Sequence, residues 1–178
     1  MREAGFVPVV VPQDIDETPA PGEAPRALVE RLARTKATSA LDLARAGDAV
    51  LAADTTVWFG DADLGKPQSP EEARSMLREL SGRTHHVSTG VCLVVEGETP
   101  ADRRAVSFVE TTDVTFFGLS NADIDAYVAS GEPMDKAGAY GIQGMGRLLV
   151  SGIEGDYYNV VGLPVARTLR ELVKLLES

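Results

Sequence analysis

Residues Val50–Pro67 read VLAADTTVWFGDADLGKP. The apolar run Ala49–Ala53 stops at Asp54 and is followed by Thr55-Thr56. A short apolar run bounded by a charge reads as a buried strand of an α/β sheet. Open α/β sheets bind ligands beyond the carboxyl ends of their strands, and the pattern places Asp54 at such an end. Gly65-Lys66-Pro67 puts a cation on a stiff turn, twelve residues after Asp54. A carboxylate and a fixed ammonium suit a metal-bound phosphate: the acid holds a cation or activates water, and the lysine takes up phosphate charge. An aspartate that merely ends a strand, with a lysine decorating a loop, is the commoner reading. Both stand at this point.

Upstream, Phe6–Pro12 (FVPVVVP) is β-branched and reads as a strand, with Pro8 and Pro12 marking an edge or an end. Gln13–Ala24 is an acidic, proline-containing loop that carries Asp14, Asp16 and Glu17; such a run is commonly a solvated loop. Pro25–Ala46 has Leu28, Leu32, Ala33, Ala37, Ala40, Leu41 and Ala44 on one side and reads as an amphipathic helix stopped by Gly47. Lys36 lies within it, a position usually given to a solvent-facing charge.

Downstream, a turn is expected over Gly60–Asp63. Ser69-Pro70-Glu71-Glu72 then opens a helix: serine as N-cap, proline in the first position, acids in the first turn. His86–Glu96 and Ala105–Phe117 read as two strands of a long-looped hairpin. Ser120–Asp123 begins a short helix that ends near Gly131. Asp135–Gly146 (DKAGAYGIQGMG) is too glycine-rich for a regular element. Glycine lets backbone approach a ligand closely, so this is either a substrate-facing loop or a set of tight turns. Leu148–Ile153 and Val160–Val161 read as short strands, and Leu163–Leu176 as a terminal helix. Helices mixed with strands point to an α/β fold.

At 178 residues the chain suits one domain, 1–178, with a substantial core. A net charge of −10 argues against a nucleic-acid polymer as partner, since duplex binders carry a basic stripe. It leaves room for a mononucleotide in a small cationic pocket. The single Cys92 excludes an internal disulfide and a cysteine metal site, and its apolar surroundings make it buried and inert. No apolar run is long enough to span a bilayer and Met1–Phe6 has no signal-peptide core, so a cytoplasmic location is expected.

Several chemistries are unsupported. His85 and His86 are adjacent, so on a strand they face opposite sides and cannot grip one metal. There is no Gly-x-Ser-x-Gly elbow. Lys66 precedes proline where a P-loop needs Ser or Thr. Metal-assisted hydrolysis by a carboxylate is the enzymatic reading left.

Motifs along nearly the whole chain resemble the Maf family of nucleoside triphosphate pyrophosphatases. They are Ala52-Ala53-Asp54-Thr55 with Gly65-Lys66-Pro67, Leu80–His85, Val87-x-Thr89-Gly90-Val91, Ser130–Gly144 and Gly155–Pro164. The resemblance implies a two-lobed α/β fold akin to the inosine triphosphate pyrophosphatases, with a mixed sheet and a central cleft. It implies hydrolysis between the α- and β-phosphates, giving monophosphate and pyrophosphate, with Mg²⁺ or Mn²⁺. Residue by residue, it makes Asp54 the general base and Lys36 and Lys66 the phosphate-facing lysines. It places Glu17, with Asp54, at the metal, and ties Thr55 and Gln143 to substrate choice. Asp54-Thr55 and Ala139-Tyr140-Gly141-Ile142-Gln143 look like the branch acting on dTTP and UTP rather than on 7-methyl-GTP. The implied role is house-cleaning of modified pyrimidine nucleotides. A link to arrest of septum formation and a homodimer are further implications.

One departure is plain. The family opens with a strand and a Ser-Pro-Arg-Arg turn, then a helix ending like Arg2-Glu3-Ala4-Gly5-Phe6; Met1 falls within that helix. The arginines of that turn would be phosphate ligands, so an upstream extension is expected to raise activity. The alternative function is a non-catalytic nucleotide-binding regulator of septum formation and cell division. A structural interaction module is the third reading, and it requires the motif matches to be coincidence.

Overall fold

A computed structural model describes residues 5–177. Its centre is a five-stranded sheet in the order β2-β1-β3-β4-β5. The strands are β1 (Ala49–Phe59), β2 (Ala62–Leu64), β3 (Thr84–Val95), β4 (Arg104–Phe116) and β5 (Val150–Glu154). The expected α/β architecture is present. All pairings among the described residues are antiparallel, where the sequence suggested a mixed sheet. The long-looped hairpin is β3–β4, in register from Thr84↔Thr115 to Val95↔Arg104.

The run after Ala53 does not end the strand. Thr55-Thr56-Val57-Trp58-Phe59 are all residues that favour a pleated sheet, and they carry β1 on along β3 as far as Trp58↔His86. Asp54 therefore sits in mid-strand, opposite Gly90, and not at a carboxyl end. The turn expected over Gly60–Asp63 is tighter than that: β2 begins at Ala62 and pairs back on β1 through Val57↔Leu64.

Helix α1 (Pro25–Ala40) and a 3₁₀ turn (Leu41–Leu43) replace the single helix expected to Ala46. Pro25 takes a first-turn position, where its missing N–H costs nothing. Leu28, Val29, Leu32, Ala33 and Ala37 form the buried stripe. Ala33 and Ala37 pack against Cys92 and Val94 of β3, with Val50 and Ala52 of β1 beside them. The approach is close because β3 carries glycine there: a Cβ on Gly90 would lie 2.2 Å from the Val29 carbonyl oxygen. Buried Cys92 behaves as expected, with burial pushing its thiol pKa up.

The opposite face at the same end of the sheet is covered by α5 (Val165–Glu177), whose Leu172 meets Val91, Leu93, Val95 and Phe108. The other end is packed by α2 (Pro70–Leu80) and α3 (Asn121–Ala129). Leu77, Leu80, Ile124 and Tyr127 there meet Val57, Val87, Val114 and Phe116. Each fully buried leucine of that kind is worth roughly 1.5–3 kcal/mol. Both helix starts are as read from sequence. Ser69 accepts from Glu72 N, and Ser120 and Asp123 form a reciprocal capping box. Three apolar clusters thus share one set of long strands, two at one end and one at the other, which gives the two lobes.

Three further sequence readings change. Phe6–Pro12 pairs with no strand among the described residues, and Val7 and Val9 are 90% and 88% exposed. Its β-branched content favours extension, but a ladder needs a neighbour, and two prolines remove donors. Val160–Val161 belongs to α4 (Tyr157–Val161): Asp156 caps it by accepting from Tyr158 N, and Gly162 ends it at φ +122°. Leu148–Ile153 divides into a 3₁₀ turn (Met145–Leu149) followed by β5. The helix end suggested at Arg2, Glu3 and Ala4 lies outside the described residues.

Candidate active site

Strand alternation decides which side chains meet. Val50 and Ala52 pack toward α1, so Asp54, next on that face, points the same way. Lys36 of α1 reaches it. Its Nζ donates to Asp54 Oδ1 at 2.6 Å and lies 2.6 Å from Glu17 Oε1. Lys36 and Asp54 are 19% and 15% exposed, whereas Glu17 is 57% exposed. A lysine that the helix pattern assigned to solvent is therefore the cation between two carboxylates.

Glu17 arrives on the 13–24 loop, which is tied down locally. Asp16 accepts from Thr18 N, and Arg31 of α1 donates to both Glu23 oxygens and to the Thr18 carbonyl. The Arg31 contact holds Glu23 down at about 2.

Burial pushes the Asp54 pKa above the ordinary carboxylate value; Lys36 opposes this, and the charges of Glu17 and Asp63 add to it. Burial alone would lower Lys36, but its contacts with Asp54 and Glu17 outweigh that and hold it above the ordinary value. Asp63 is anchored nearby by a hydrogen bond from Thr56.

Thr55 points to the other face of β1. Its Oγ1 is 2.8 Å from Thr89 Oγ1 and 3.4 Å from the Gly162 carbonyl oxygen. It lines a cavity of about 490 Å³ together with Lys66, Glu132, Lys136 and Gln143. The six candidates read from sequence therefore form two groups. Glu17, Lys36 and Asp54 are hydrogen-bonded or ion-paired on one face, and Thr55, Lys66 and Gln143 line the cavity on the other. Lys66 does not pair with Asp54. Sequence reasoning missed Lys136 and Glu132 as cavity residues. The signal was there, since both flank the acidic start of a glycine-rich segment already suspected of facing a ligand.

Among the described residues no three His, Cys, Asp or Glu side chains converge as a metal cage. Asp54 and Glu17 do converge, on one ammonium. Mg²⁺ typically takes one or two carboxylates and completes its shell with water and substrate phosphate. The two carboxylates fit that donor set.

A sheet with helices on both faces defines an α/β protein, here with a half-buried acid–lysine pair on one face of β1 and a cavity on the other. The family model for Maf-like protein matches residues 1–175, and the chain belongs to that family. It is 48% identical over 163 residues to a protein of Bacillus mycoides called dTTP/UTP pyrophosphatase, covering 92% of this chain and 82% of that one. It is 47% identical to the Bacillus cereus protein of the same name, covering 97% and 87%. The Bacillus anthracis protein so named is 46% identical, with 95% and 85% covered.

Proposed function

We propose that this protein hydrolyses dTTP and UTP, and modified pyrimidine nucleotides, to the monophosphate and pyrophosphate. The observation that carries the mechanism is the pair between Asp54 of β1 and Lys36 of α1, one residue along the strand from Thr55, which lines the cavity with Lys66 and Gln143. Phosphoryl transfer asks a protein mainly for positioning and charge stabilisation. Water attacks the α-phosphorus in line, and the bond from that phosphorus to the bridging oxygen breaks. Pyrophosphate leaves with the bond electrons, and Asp54 takes the proton from water. A carboxylate pKa raised by burial suits a base more than an ordinary surface aspartate would. β2 pairs with β1 only over residues 57–59, so among the described residues no strand covers the outer edge at Asp54-Thr55; the triphosphate lies across that edge, with Lys36 and Lys66 neutralising it from either face and Thr55 and Gln143 contacting the nucleoside.

Lys36 offsets only one of the two carboxylates around it, so the cluster is anionic and a triphosphate needs further positive charge to enter. Asp54 and Glu17 would hold a divalent cation; when bound, it supplies that charge and stabilises the phosphate oxygens. We place the activity in the cytoplasm as nucleotide house-cleaning. No helix among the described residues is long and apolar enough to cross a membrane.

The test is pyrophosphate release from dTTP and UTP with Mg²⁺ or Mn²⁺, with and without EDTA. Asp54→Asn is expected to lower kcat by about 10²–10⁴, the usual worth of a positioned base, with some fall in Tm because Lys36 keeps only the exposed Glu17 as a charged partner. Near-normal turnover removes Asp54 from the mechanism. A nucleotide-induced thermal shift without pyrophosphate release supports the regulator instead.

A further inference from the structure

Gln143 sits in a stretch that has little means of holding itself still. Gly141, Gly144 and Gly146 surround it, and it lies in no helix or strand. Two side chains from outside the stretch fix its backbone. Glu132 Oε2 accepts from Met145 N at 2.8 Å, and Oε1 accepts from Gly146 N at 3.1 Å. Tyr127 of α3 donates its hydroxyl to Glu132 Oε1 at 2.9 Å, and the Tyr127 hydroxyl oxygen accepts from Gly141 N at 3.1 Å. Amides on both sides of Gln143 are thus held by one carboxylate and one phenol.

The glycines make room for this clamp. A Cβ on Gly144 would lie 2.2 Å from Glu132 Oε2, and one on Gly146 would lie 2.5 Å from the Gly141 carbonyl and 2.7 Å from the Tyr127 hydroxyl. Partial burial would raise Glu132, but the two amide donors and the phenol outweigh it and keep the carboxylate ionised. Ionised, it accepts on both oxygens, which a neutral amide of the same shape cannot do.

We propose that Glu132, with Tyr127, is the positioning residue that sets where the Gln143 amide meets the pyrimidine, so that base selectivity depends on this clamp. This rests on the reading of Gln143 given above. A glutamine amide can donate to the O4 of thymine or uracil and accept from N3–H. Cytosine carries an amino donor and a bare ring nitrogen at those places, so the same amide pose rejects it. A displaced backbone lets the amide turn, and the discrimination falls.

Two measurements on the full chain test this. Hydrogen exchange without nucleotide is expected to quicken about tenfold or more across 137–149 in Glu132→Gln, because an amide N–H then faces a backbone donor. Peptides from β3 should be unchanged. In steady state, the dTTP over dCTP ratio of kcat/KM should fall about tenfold, with KM for dTTP rising and kcat within about threefold. Tyr127→Phe, which does not alter the cavity wall, should move both readouts the same way by less. Unaltered exchange in 137–149, or an unaltered ratio despite faster exchange, overturns the proposal. A wild-type chain that releases no pyrophosphate defeats the substrate reading alone, and the exchange result still decides whether Glu132 holds the loop.

Discussion

Replacing Gly90 by alanine probes the contact that puts α1 over the sheet. The added Cβ would lie 2.2 Å from the Val29 carbonyl oxygen, 2.4 Å from its carbon and 2.7 Å from Glu30 N. These are backbone atoms of a helix, so no flexible side chain can swing aside. A carbon and a carbonyl oxygen settle at about 3.3–3.6 Å, so the helix must lift by roughly 1 Å. Overpacking of this kind costs about 1–3 kcal/mol. For a chain of this length that is a fall in Tm of roughly 2–12 °C, at about 2–4 °C per kcal/mol.

The same lift reaches the site. Lys36 lies about two helical turns beyond Val29, roughly 10 Å along the axis, and its side chain leans back toward the helix N-terminus to meet Asp54, the strand partner of Gly90. A misplacement of about 1 Å can cost on the order of a hundredfold in rate. Calorimetry and pyrophosphate release should therefore fall together in Gly90→Ala. Gly152→Ala is the control, because a Cβ there meets nothing within 4 Å. Wild-type Tm and turnover in Gly90→Ala would show that α1 does not ride on β3 at this point.

Two other perturbations have definite outcomes. Lys36→Met leaves Asp54 and Glu17 facing each other without a cation and should destabilise the chain by about 1–3 kcal/mol at pH 8, between the worth of an exposed pair and a buried one. Asp54, already raised by burial, then gains stability by taking a proton, so the gap to wild type should narrow at pH 5 in urea titrations; a constant gap would contradict the pairing. His85 is fully buried, with its Nε2 2.8 Å from the Tyr140 hydroxyl, and burial lowers it from 6.5 to about 4. The unfolded chain takes up that proton first, so stability should hold above about pH 6.5 and decline toward pH 4, by about 3 kcal/mol in total. Replacing His85 by glutamine should flatten that slope, and an unchanged slope assigns it to other groups.

The helices and long strands were legible because their signals are local. Ser69-Pro70 and Ser120–Asp123 announce helix starts, and alternating residues mark β4. Strand ends were less legible. Asp54 looked like a terminus because charge usually stops a buried run, yet Lys36, eighteen residues away, supplies the partner that lets β1 continue past it. Phe6–Pro12 shows the reverse case, since strand propensity is present and a ladder neighbour is not among the described residues. The candidate residues could be named from the sequence, but their arrangement could not. With Asp54 read as a strand end, the alternation that separates His85 from His86 was not applied to Asp54-Thr55, and nothing near Gln143 in the sequence says that Glu132 and Tyr127 hold its backbone.

Because adjacent residues of β1 look out on different sides of the sheet, no side chain of the charge cluster lines the cavity wall. Substitutions at Thr55 or around Gln143 can re-tailor the cavity to another base while the balance of ions around Lys36 stays as it is. One pleated ribbon thereby offers two surfaces that selection, or an engineer, can alter one at a time.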